Sequence, residues 1–114
     1  MKLIILFAGF GIALYLFILI ALYFFQDKML FFPSATPFGD CPGMDRYKAK
    51  AVTANGIRYY FQKKSNPENW IIVFHGNAGN ACDRTYFFDL FQDFRSNIVI
   101  FEYPGYGKDG IKPG

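Results

Sequence analysis

Two glycine-rich runs carry the residue types from which a reaction site can be assembled: His75-Gly76-Asn77-Ala78-Gly79-Asn80 and Glu102-Tyr103-Pro104-Gly105-Tyr106-Gly107-Lys108. Each follows a short continuous apolar run, residues 70–74 and 98–101, of the composition expected for parallel strands covered on both faces. Turns at the C-terminal ends of parallel strands collect helix N-termini and backbone N–H groups, so negative charge developing on a bound group is stabilised there. The plainer alternative is that Gly76 and Gly79 only permit a tight strand-to-helix turn. Gly105-Tyr106-Gly107-Lys108 is not a phosphate-binding loop of the G-x-x-x-x-G-K-[ST] kind, because Asp109 follows the lysine. Asp83, Asp89 and Asp93 fall along one flank of a predicted helix and read as a solvated face rather than a metal site. No metal and no other cofactor is expected.

The elements that must position these turns follow from periodicity. Between the two apolar runs, Phe87, Leu90, Phe91 and Phe94 recur at helical spacing, with Arg84, Asp89, Asp93 and Arg95 left for the wet side. Asn80 or Asp83 can cap the start of that helix. Strand, helix, strand at this length predicts a βαβ unit with a right-handed crossover. Upstream, residues 47–53 and 57–62 flank Asn55-Gly56, the dipeptide best suited to a type I′ turn, and predict a β-hairpin. Its second strand alternates Ile57, Tyr59, Phe61 against Arg58, Tyr60, Gln62, the pattern of a sheet with one wetter face. Pro33, Pro37, Gly39, Pro42 and Gly43 disfavour helix and central strand over residues 29–44, which read as a juxtamembrane connector.

Residues 3–25 contain no charge, and at 1.5 Å per residue they extend about 34 Å, enough to cross a hydrocarbon core of about 30 Å. A signal peptide has a shorter apolar region and a small-residue cleavage site, so an uncleaved transmembrane anchor is the expectation. Lys2 flanks one end, while Lys28, Arg46, Lys48 and Lys50 follow the other, so the charges do not decide its orientation. Removing roughly 25 residues leaves about 89 of the 114 for one small domain. The organisation expected is an anchor at 1–28, a connector at 29–45 and a partial α/β domain at 46–114.

Composition narrows the function classes. A hydrophobic fraction of 53% with 21% aromatics is too high for a disordered chain. The net charge of +3 is small, and basic residues are interleaved with acidic ones, so nucleic acid is excluded as a partner. Cys41 and Cys82 permit at most one disulfide, form no C-x-x-C pair, and read as two ordinary thiols.

In its two turns, in their order and strand context, in Gln26-Asp27-Lys28-Met29-Leu30-Phe31-Phe32-Pro33 after the apolar segment, and in the Asn55-Gly56 hairpin, the chain resembles the small membrane-anchored serine hydrolases of the α/β-hydrolase superfamily. The resemblance implies an α/β fold: an N-terminal transmembrane helix, then the β-hairpin and βαβ unit that begin an α/β-hydrolase fold, truncated. It implies that the backbone at Gly76, Asn77 and Ala78 forms an oxyanion hole, with the matching N–H at Asn77, for the hydrolysis of ester, thioester or amide bonds. It further implies that His75, Gly79, Gly105, Tyr106 and Gly107 support that loop. His75 is the only histidine, and the resemblance makes it an orienting residue rather than the general base, which in that family comes from a later loop.

The nucleophile elbow G-x-S-x-G is absent, and Ser34, Ser65 and Ser96 do not lie on a strand-to-helix turn. Cys82, near a predicted helix start, is a poor substitute, since its one candidate base is His75. Asp109-Gly110 departs from the family, whose turn commonly continues with a serine. Two functions from different classes therefore stand. One is an anchored serine hydrolase truncated before its nucleophile and inactive alone, whose partners are the bilayer and a missing C-terminal hydrolase segment. The other is a non-catalytic single-pass membrane protein whose α/β stub is an interaction surface or a remnant.

Overall fold

The computed structural model describes residues 1–113 and divides into two compact units, Met1–Leu30 and a second beginning at Phe31. The first is a single helix, α1 (Lys2–Leu30), none of whose residues is buried. It is long and apolar enough to cross a membrane, a property that a signal sequence shares.

The second unit is mixed α/β. In chain order it contains β1 (Phe32–Pro33), α2 (Pro42–Arg46), β2 (Lys50–Ala54), β3 (Ile57–Gln62), β4 (Asn69–Val73), β5 (Ala78–Gly79), a 3-10 turn (Ala81–Arg84), α3 (Tyr86–Leu90) and β6 (Ser96–Glu102). Four strands form one sheet in the order β2-β3-β6-β4, and β1 and β5 make a separate parallel pair. β2 and β3 form the expected antiparallel hairpin, with Asn55 at φ 52° and Gly56 at φ 76°, the left-handed pair that a type I′ turn requires. β4 and β6 are parallel and directly paired, Ile71 against Ile98 and Val73 against Ile100.

Only one face of this sheet is covered. Tyr60, Ile98, Ile100 and Val73 point into a core shared with Met44, Ala49, Ala81 and Phe88. The opposite face carries Trp70, Ile72 and Phe74, each more than half exposed. The expectation that residues 70–74 are covered on both sides fails for that reason: β4 is an edge strand, and the short helices lie on one side alone. The same asymmetry settles which face of β3 is covered. It is the Arg58, Tyr60, Gln62 face, since Tyr60 pairs with fully buried Ile100. Its polar groups are mostly spoken for: the Tyr60 hydroxyl accepts from the Gly39 N–H at 2.8 Å, and Gln62 donates to the Tyr47 carbonyl at 2.8 Å. Burial pushes the Tyr60 hydroxyl above its ordinary pKa, the Gly39 contact opposing it.

Three further expectations are corrected. The predicted helix over 84–95 is broken into the 3-10 turn and the five-residue α3. Its buried residue is Phe88, whereas Leu90 and Phe94 stay exposed and Phe87 and Phe91 are only partly covered. A single turn of helix presents one or two side chains to the core, so a stripe spanning about two turns has nothing to bury against. The stretch read as connector contains α2, which starts with Pro42 where its missing N–H costs nothing. It also contains β1, where the flanking N–H groups of Phe32 and Ser34 donate to Asn77 and Gly79 past Pro33. Finally, Cys41 and Cys82 are not free thiols but a disulfide, with Cα atoms 5.8 Å apart. Spacing in sequence hides this, because α2 and the 3-10 turn meet only once the chain is folded.

Candidate functional site

The loop 75–80 leaves the C-terminal end of β4 beside the turn 103–107 that leaves β6, so the two glycine-rich runs do come together. His75 is the first of its side chains and is wholly buried. Its Nδ1 lies 2.7 Å from the Gly76 carbonyl, an acceptor, so Nδ1 carries a hydrogen. Its Nε2 lies 3.1 Å from Glu102 Oε1, and the Tyr103 N–H approaches the same nitrogen at 3.5 Å. The other Glu102 oxygen accepts the Ala81 N–H at 3.3 Å. Tyr103 and Tyr106 pack edge-on against the imidazole, 4.7 and 4.8 Å between centroids. With both nitrogens engaged and the ring enclosed, His75 has no face to offer a substrate proton.

The loop that His75 anchors is pinned along its length. The Asn77 carbonyl accepts from the Phe32 N–H at 2.8 Å and from the Tyr106 hydroxyl at 2.9 Å. Burial raises the pKa of that hydroxyl, and the neighbouring Glu102 and Tyr103 act in the same direction, so it stays a donor. Asn80 caps the 3-10 turn in a reciprocal capping box with Asp83, and its amide donates to the Thr36 carbonyl at 3.0 Å. Of the two capping candidates, Asn80 is the cap and Asp83 its partner.

The loop glycines divide into two kinds. Gly79 sits at φ +77°, and a Cβ there would meet Asp83 Oδ2 at 2.6 Å, so a tight turn explains it. Gly105, at φ +85°, and Gly107, at φ +65°, are likewise required by the backbone, Gly105 by close contact with Pro113. Gly76 differs. It is exposed, has no positive φ, and a Cβ would meet nothing within 4 Å. No contact inside the protein asks for glycine there. Gly76 and Asn77 border a cavity of about 260 Å³ completed by Phe31, His75, Tyr103, Pro104 and Tyr106. Its walls are mainly apolar, and exposed Ala78 lies just beyond it.

No family model matches this chain, and no solved structure matches it.

A second depression of about 280 Å³ lies near Arg58 and Asp109, but its charges are committed to one another. Arg58 donates to the Tyr103 carbonyl at 3.1 Å, the Tyr106 carbonyl at 2.9 Å and Asp109 Oδ2 at 2.5 Å. Asp109 also accepts from the N–H groups of Gly105 and Ile111. Desolvation pushes the Asp109 carboxyl up, but those two N–H groups and the guanidinium outweigh it and hold the carboxyl below the usual range. Asp109 is thus what fastens the turn 103–111.

The remaining chemical candidates are placed apart or are occupied. Cys82 is in the disulfide and has no thiolate to offer. Ser96 is buried at the start of β6, the opposite end of the sheet from His75, and Ser65 lies in the loop before β4. Ser34 is near the loop but its hydroxyl bonds to Thr36. Asp89 accepts from the Tyr47 hydroxyl at 2.6 Å, a contact that raises the tyrosine's pKa. Among the described residues no cluster of three metal-ligating side chains occurs. Sequence reasoning quoted Glu102 and Phe31 but gave neither a role in the site. Glu102 could have been noticed as a carboxylate closing an apolar strand, a position where an acid is buried and needs a partner.

Proposed function

We propose that this chain is a membrane-anchored protein of the α/β-hydrolase type, with residues 75–80 as the oxyanion-binding loop of a site for ester, thioester or amide bonds. The observation that carries the reading is Gly76, a glycine that the fold does not require, exposed at the rim of an apolar cavity. A substrate carbonyl must approach backbone closely, and a side chain at this position would stand in its way. The sheet order agrees: β4 pairs with β6 on one edge, and its other edge is free, which is where the resembling fold places the strand leading to the nucleophile. His75 and Glu102 are positioning residues. The uncharged span within α1 serves as the anchor. This reading assigns nucleophile, acid and base to none of the described residues.

The test is fluorophosphonate labelling of full-length chain in membranes, alone and co-expressed with the C-terminal segment of a related hydrolase. Labelling of the segment's serine is expected only when both are present. Gly76→Val, which nothing in the fold opposes, should reduce it on the order of 100-fold, the value of an oxyanion donor. Full labelling of the Gly76→Val pair defeats the reading. So does labelling of the chain alone that is lost on Ser34→Ala, Ser65→Ala or Ser96→Ala. The exposed Trp70, Ile72 and Phe74 favour a second reading, a non-catalytic membrane protein whose open sheet face binds a partner. Under it no combination is labelled.

A further inference from the structure

The Cys41–Cys82 bridge joins the two segments that frame the candidate loop. Cys41 is the N-cap residue of α2 and is buried in the core, and Cys82 lies in the 3-10 turn that begins directly after Asn80. Non-covalent ties run between the same segments: Asn80 to the Thr36 carbonyl, Ser34 to the Gly79 carbonyl, and Gly43 so close to Thr85 that a Cβ would lie 3.1 Å from its methyl. The bridge is thus a covalent lock on one end of the loop, where Glu102 also accepts from Ala81, and the other end is held by Glu102 through His75. Disulfides of this buried, structural kind form and persist in oxidising compartments and are kept reduced in the cytosol.

We infer that the unit beginning at Phe31 works on the oxidising side of the membrane, with Lys2 on the reducing side, and that oxidation of Cys41 and Cys82 after export locks the candidate loop. The step is thiol–disulfide exchange with a protein or low-molecular-weight disulfide. Two thiols give up two protons and two electrons, one S–S bond forms, and the acceptor disulfide is reduced to two thiols. The charges flanking α1 leave orientation undecided, and the bridge decides it. The inference stands whether or not the loop binds an oxyanion.

The test uses the full-length chain in sealed membrane vesicles with the cytoplasmic face outward. A C-terminal tag is expected to be protected from added protease and an N-terminal tag to be cleaved. Acid-quenched samples should take up no polyethylene glycol maleimide before reduction and two equivalents after it, with one equivalent on unreduced Cys41→Ser. After the vesicles are opened with mild detergent, tryptic cutting at Arg84, two residues beyond the bridge, should rise on reduction by on the order of a hundredfold, the effect of opening a crosslink over this separation. A cleaved C-terminal tag, or two equivalents of maleimide on the unreduced chain, overturns the assignment. Cutting at Arg84 that ignores reduction overturns the lock.

Discussion

Replacing Glu102 by leucine, a residue of similar volume, removes the acceptor for two buried groups at once: the His75 ring and the Ala81 N–H. A buried polar group left without a partner costs roughly 1–3 kcal/mol, so losing both contacts costs about 2–6 kcal/mol. His75→Phe keeps the edge-on packing against Tyr103 and Tyr106 but leaves Glu102 Oε1 without its partner, at roughly 1–3 kcal/mol. The double variant leaves only the Ala81 N–H unpaired, about 1–3 kcal/mol. The two changes should therefore fall short of additivity by at least about 2 kcal/mol. Glu102→Gln should cost under about 1 kcal/mol, because its amide oxygen can accept from Ala81 while its NH₂ donates to His75 Nε2. Urea unfolding of the full chain in micelles at neutral pH, followed by Trp70, the sole tryptophan, measures all four. In a thermal melt each single loss should lower the midpoint by about 4 °C or more, at about 4–8 °C per kcal/mol for a unit of this size. Additive single effects, or a Glu102→Leu cost under about 1 kcal/mol, would refute the claim that this pair holds the loop.

The Asp109 carboxyl is held below its ordinary range, so the stability it lends the turn 103–111 is complete above about pH 4 and is lost as pH falls through the lower folded value. Amide resonances of Gly105 and Ile111 should titrate together there, and Asp109→Asn should abolish that titration; a midpoint at or above the ordinary aspartate value would contradict it. Asn80→Ala removes a cap and the tie to Thr36, and should cost about 1–2 kcal/mol in the same urea assay, with no change counting against the capping box. Ile72→Lys, on the open face beside a free strand edge, should slow aggregation of the full chain in micelles without lowering its unfolding midpoint, as light scattering and urea unfolding together would report.

Several elements are written in local sequence, and each rests on a local cause. The uncharged run within α1 is helical because an apolar stretch of that length satisfies its backbone only within itself. Asn55-Gly56 turns the hairpin because both residues accept positive φ, and Asn80 caps because its side chain reaches the N–H three residues on. Continuous apolar runs mark β4 and β6 as neighbours in a parallel pair. The sequence also contained the candidate loop, residues 75–80. What it could not contain is which distant groups meet. His75 and Glu102 are 27 residues apart, Cys41 and Cys82 are 41 apart, and Arg58 and Asp109 are 51 apart. Periodicity gives the two faces of β3 but not which one is covered, so only the packed helices show that the Arg58, Tyr60, Gln62 face is the inner one. The same limit applies to Phe88, buried in place of the four-residue apolar stripe, and to β4, whose alternate side chains remain in water. Each depends on what the neighbouring layer supplies, and that is fixed by tertiary contacts rather than by the order of residues along a strand or helix.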